Sequence, residues 1–131
     1  MVMNRLIIES EVDAKIIKHP LWSDVLKAIT ELSIDCTIYL VAENKKEMQI
    51  QGGPEYFVIN CYWDKNAIEY ENYFVVDWKK STERIDIFSD YSCDGRLCIA
   101  LNLTLQAAKY YFEYNEMDKD QNWEDKNNIP S

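Results

Sequence analysis

A catalytic reading of this sequence would begin with its single histidine, His19, which stands beside Pro20. Imidazole titrates near neutrality, but general acid–base work needs a second group to orient it, and nothing adjacent in sequence supplies one. Cys93 and Cys98, in CDGRLC, lie five apart. Tetrahedral zinc sites use a C-x2-C pair and a second pair to complete four ligands, so these read as two strand-end thiols around an Asp-Gly turn. In DKDQNWED, Asp118, Asp120 and Asn122 alternate as the first ligands of a calcium loop do. The position that needs glycine holds Trp123, and the position that needs a bidentate glutamate holds Ile129, so a solvated acidic segment is expected. GGP at Gly52–Pro54 lacks the lysine and following helix of a phosphate loop and reads as a turn. No spacing selects an acid–base pair among the carboxylates. The inventory predicts no catalytic residue, no metal site and no cofactor: not an enzyme.

Charge points elsewhere. Fourteen basic against 23 acidic residues give a net charge of −9, and Lys/Arg clustering stops at Lys45–Lys46 and Lys79–Lys80. Affinity for phosphate comes from basic side chains that release counterions, so nucleic acid and anionic membrane are poor partners for this chain. A basic protein is a better one, because opposite potentials speed encounter and select orientation. The opening MVMNRLIIESEVD has no charged-then-apolar export pattern, and no apolar run reaches the roughly 20 residues of a spanning helix. A cytoplasmic protein is expected, with Cys36, Cys61, Cys93 and Cys98 as thiols.

The elements that must position any site come next. At 131 residues, 47% apolar and 13% aromatic, with three glycines and three prolines, the chain suits one domain over 1–131, loose at about 126–131. NRLIIES (4–10) predicts a strand, after which Ser10 caps a helical turn through EVDAKIIK. In LWSDVLKAITEL, Trp22, Val25, Leu26, Ile29 and Leu32 recur at three and four, one helical face. Strand-length β-branched and aromatic runs follow at 36–42, 47–51, 55–63, 71–78, 83–89 and 96–101, with ENKK as a hairpin turn. EYFVINCYW is apolar on both alternating sets, which predicts a central strand covered on both sides. Thr104 is the expected N-cap of a last helix whose stripe is Leu105, Ala108 and Phe112, widened by Ala107 and Tyr111 and ending near Asn115. Trp22, Trp63 and Trp78 are expected in the core or half-buried, and only aromatics on the outer side of the sheet are candidates for contact. The fold class is α+β: an antiparallel meander of about five to seven strands packed with an N-terminal and a C-terminal helix.

The order of pieces carries a resemblance. HPLWSDVLKAITELSIDCTIYLV, then EMQIQGGPEYFVINCYW, then NLTLQAAKYYFEYNEMDKDQNWED resemble the bacterial immunity protein family one. The features are the P-x-W opening of the helix, the Gly-Gly turn and the F-E-Y-N-E…W-E ending, spanning roughly residues 19 to 125. Where that family often shows a glycine after the last helix, this chain has Asn115, the next best residue for a left-handed helix end. The resemblance implies that Trp22, Gly52, Gly53, Phe112 and Trp123 are framework positions. It implies a small neutraliser, of the kind encoded beside polymorphic or contact-dependent growth-inhibition toxins, that occludes a cognate toxin domain without catalysis. Such toxins include nucleases, deaminases and NAD-consuming enzymes; nuclease toxins present basic clefts, which suits the acidic balance. A regulatory or adaptor domain for another protein is the alternative. Loops and exposed faces carry such contacts. The candidates are Asp64, Glu69, Glu71, Asp90 and Asp94 in or beside sheet connectors, with the C-terminal acids Asp118, Asp120, Glu124 and Asp125 as the rival location.

Overall fold

The computed structural model describes residues 3–64, 70–89 and 91–129. Nine strands and two helices alternate along the chain: β1 (Met3–Glu9), β2 (Ala14–Lys18), α1 (Trp22–Thr30), β3 (Thr37–Ala42), β4 (Glu47–Gly52), β5 (Phe57–Asp64), β6 (Tyr70–Val75), β7 (Arg84–Phe88), β8 (Tyr91–Asp94), α2 (Leu101–Tyr114) and β9 (Trp123–Asp125). Seven strands form one sheet in the order β2-β1-β3-β4-β5-β6-β9, while β7 and β8 make a separate hairpin. Every pairing is antiparallel. The α+β class and the two packed helices are as the sequence predicts; β3 to β6 are the meander. Among the described residues no helix is long and apolar enough to cross a membrane.

Strand alternation separates two cores. One face of the sheet sends Leu6, Ile38, Leu40, Met48, Ile50, Phe57, Ile59 and Cys61 against Val25 and Ile29 of α1 and Ala107, Ala108 and Tyr111 of α2. The other side of β5 sends Val58 into a smaller cluster with Ile87, Cys93 and Cys98 of the hairpin region. β5 is therefore covered on both sides at Val58, while Tyr62 further along the same side is not buried. The helices meet through Trp22 and Phe112, whose ring centroids lie 5.8 Å apart.

Local chemistry fixes the ends of these elements. Asp24 accepts a 2.8 Å bond from the Leu21 backbone N–H at the start of α1. Asn115 ends α2 in the left-handed conformation (φ 54°), its N–H donating 2.7 Å to the Tyr111 carbonyl. Gly52 and Gly53 hold φ of 95° and 86°, and a Cβ on Gly53 would lie 2.5 Å from the Leu32 carbonyl oxygen. No other residue fits that turn without strain.

Several expectations are overturned. EVDAKIIK is not helical: it forms β2, because the Ser10 N–H donates 2.8 Å to the Asp13 carbonyl and closes a hairpin. Ile17 then packs on the core while Ile16 is exposed, a period of two. Thr104 is no N-cap: α2 starts at Leu101, and the buried Thr104 hydroxyl donates 3.0 Å back to the Ala100 carbonyl. RLCIAL is not a strand. A 3₁₀ turn over Gly95–Leu97 precedes one bridge, Ile99 to Phe57, because Asp94 binds the Arg96 N–H at 2.9 Å and coils the chain. Trp78 is 42% exposed, with the Arg96 guanidinium over its ring. The segment read as solvated acid is structured: Asp118 is buried and β9 adds to the sheet edge beside β6. Lys126–Asn128 forms a second 3₁₀ turn.

Candidate partner-binding face

The face of the sheet turned away from the helices is built by cross-strand register. One row aligns Ile7, Tyr39, Gln49, Asn60 and Phe74; the next aligns Arg5, Val41, Glu47, Tyr62 and Asn72. On an antiparallel sheet directly opposite side chains stand about 4.5–5.5 Å apart, so these rows are continuous surfaces. The β7–β8 hairpin covers only part of this face. It is held by the small core and by Asp35, which accepts a 2.8 Å bond from the Ser89 N–H.

Under the hairpin lies a cavity of about 490 Å³, floored by the carboxamides of Gln49, Gln51, Asn60 and Asn72 and bordered by Cys93 and Lys126. The buried Asn60 Nδ2 donates 3.0 Å to Asn72 Oδ1, so the amide floor is internally paired at that point. Among the described residues, no carboxylate lines it.

The uncovered part has the opposite character. The Tyr62 hydroxyl donates to the Glu47 carboxylate. Burial first, and then Glu47, push the Tyr62 phenol up to about 12. Burial followed by the nearby Glu9 and Glu47 carboxylates raises Tyr39 as well. Both phenols are therefore neutral donors at pH 7, and both acids are free of cations: among the described residues the ion pair within 4.0 Å is Arg96–Asp94. Two tyrosines interleaved with two carboxylates can present ring surface and negative charge together. Aromatic residues of this kind are enriched at protein interfaces.

The predicted contact residues scatter. Asp64 is exposed at the end of β5, opposite Tyr70 and on the same face as Tyr62, so it extends the open surface. Glu71 points to the other face, opposite Trp63, and accepts a 3.0 Å bond from the Tyr73 hydroxyl. Glu69 and Asp90 lie outside the described residues. Asp94 is not available: it is 8% exposed, and its bonds to Arg96, at 2.6 Å for the ion pair, hold its carboxyl below the usual carboxylate range. Asp118 is likewise structural. It is 4% exposed and accepts from Gln106 Nε2 and the Asp120 N–H, both at 3.0 Å, while its carbonyl takes the Trp123 indole N–H at 2.9 Å. Asp120 is exposed beside a shallow groove between α1 and α2. On β9 and its end, Glu124 accepts from Asn128 Nδ2 at 3.0 Å and Asp125 from the Asn127 N–H at 2.8 Å.

Sequence reasoning missed Glu9, Tyr39, Glu47 and Tyr62. The signal was the two-residue alternation within TIYLVA, EMQIQG and FVINCYWD, which puts the polar and phenolic set on one side. Joining the three strands into one surface required their register. Comparison of the chain with protein-family models, with curated proteins and with solved structures gives no match.

Proposed function

We propose that this protein is a non-catalytic inhibitor that neutralises a basic cognate toxin domain by covering it with the open part of its outer sheet face. One observation supports this reading above the others: Glu9 and Glu47, next to Tyr39 and Tyr62, form an acidic, aromatic surface with no ion-pairing cation among the described residues. The net charge of −9 extends the same field over the molecule. The tyrosines supply rigid contact area and hydroxyl donors, the residue type that dominates binding energy at interface centres. The carboxylates steer a basic partner and set orientation. The immunity role itself rests on the motif order between His19 and Asp125.

The test is co-expression with the toxin-like product of the neighbouring gene. Wild-type protein restores growth and co-purifies with that product, whereas Glu47→Lys combined with Tyr62→Ala does neither while remaining folded. Full rescue by the double variant would remove the open face from the interaction. Failure of the wild type to rescue or co-purify would remove the immunity reading itself.

A further inference from the structure

The four cysteines are free thiols in unlike surroundings. Cys61 is buried in the main core, and Cys36 is half-buried with the Ser33 hydroxyl 3.8 Å away. Cys93 and Cys98 instead face each other with their sulfurs 3.4 Å apart. A disulfide bond is about 2.05 Å long, so closure is a local adjustment of two side chains.

The turn between them is pinned. Asp94 binds both the backbone N–H and the guanidinium of Arg96, and a Cβ on Gly95 would lie 2.7 Å from the Ser81 carbonyl oxygen. The Cys98 carbonyl receives the Lys80 ammonium, which holds that end as well. The backbone that carries the two cysteines is thus held, and only their side chains need to turn to close the bond.

Access is one-sided. Cys93 borders the 490 Å³ cavity on the outer sheet face, and Cys98, fully buried behind it, does not. The hydrogen bond from Cys98, with help from nearby Arg84, holds the Cys93 thiol below its ordinary value; that same contact and burial push Cys98 up. A sulfur that borders a cavity, with a second sulfur in contact behind it, is the geometry that thiol–disulfide exchange needs.

We propose that Cys93 and Cys98 are a reversible thiol–disulfide modification site, reached by small disulfides through the cavity, with Cys93 the attacking sulfur and Cys98 the resolving one. The Cys93 thiolate attacks one sulfur of a low-molecular-weight disulfide, breaks its S–S bond and expels one thiolate, which takes up a proton. Cys98 then gives its proton to solvent and attacks Cys93 Sγ, forming the internal disulfide and releasing the second small thiol. Two protein thiols are oxidised, and one small disulfide is reduced to two thiols. The product fastens β8 to the segment entering α2 and so fixes one wall of the cavity.

The probe is oxidised glutathione on the native full-length chain, followed by alkylation and tryptic mapping. Cleavage after Arg96 separates the two cysteines, so an internal bond appears as linked peptides. The site predicts loss of alkylation at both Cys93 and Cys98, with linked peptides that dithiothreitol separates. Alkylation of both residues, whatever happens at Cys36, overturns it. Cys98→Ser separates the roles: it retains glutathione on Cys93, whereas Cys93→Ser leaves Cys98 unmodified. Glutathione on Cys98 in Cys93→Ser, with none on Cys93 in Cys98→Ser, would contradict the assignment of the attacking sulfur. The wild-type map stands without either variant.

Discussion

The two parts of the outer sheet face share the same strands and differ in what neighbours them. Beneath the β7–β8 hairpin, β4, β5 and β6 present neutral carboxamides, and no carboxylate among the described residues enters the cavity. Beyond the hairpin, the same strands with β1 and β3 present phenols and acids. Burial explains the division. A carboxylate left without a partner under a lid would bear a large desolvation cost, whereas a paired amide loses little. Where solvent remains, acids are tolerated and keep their field for a partner. The covered part is therefore enclosed and uncharged, and the open part stays hydrated and acidic, as the proposed contact requires.

Substitutions that act on one part and not the other test this division. The largest effect is expected from Ile87→Ala, which empties the centre of the small core shared with Val58, Cys93 and Cys98. A loss of about 2–5 kcal/mol is expected, read as a lower urea midpoint and faster amide exchange in β7 and β8. Retained partner affinity in that variant would sharpen the comparison. Tyr62→Ala acts the other way: a central tyrosine anchor costs about 2 kcal/mol or more in binding, read by calorimetry, with the unfolding midpoint nearly unchanged.

Asn60→Ala sits between the two, since it leaves Asn72 without its 3.0 Å donor. Removing one partner of a buried hydrogen bond costs about 1–3 kcal/mol, measured by denaturant unfolding, and charge reversal at Glu47 should not reproduce it. The smallest effect at neutral pH belongs to Tyr62→Phe, which keeps the ring and removes the bond to Glu47. It becomes visible in alkali. The folded phenol, pushed up to about 12, holds its proton after the unfolded one, near 10, has lost its own. Its contribution is complete below the unfolded value and fades as pH rises from about 10 through about 12. Wild-type stability should fall more steeply across that window than Tyr62→Phe stability, as followed by circular dichroism.

The sequence carried the fold well where one period ran long enough. Val25, Ile29 and Leu32 of the α1 stripe and the doubly apolar β5 declare themselves through spacing alone, although Leu26 of the same stripe is exposed. It misled where a short segment was decided by a distant partner. EVDAKIIK lies flat because β1 offers it an edge, and the WED stretch becomes β9 because β6 does the same. The site was legible only in part. Of the acids named from the sequence, Asp64 lies on the open surface. Of the other connector acids among the described residues, Glu71 points to the opposite face. Asp94 and Asp118 were taken up by local hydrogen bonds, Asp94 by Arg96 two residues on, and the acids that face outward sit within β1 and β4. Only cross-strand register brings Glu9, Tyr39, Glu47 and Tyr62 together.

The most direct test is amide hydrogen exchange of the protein with and without the basic toxin domain proposed as its partner. Protection gained along β1, β3, β4 and β5 beside Glu9, Tyr39, Glu47 and Tyr62, and weakened at high salt, is the predicted footprint. Protection confined to the groove between α1 and α2, around Trp22, Tyr110 and Asp120, would contradict it.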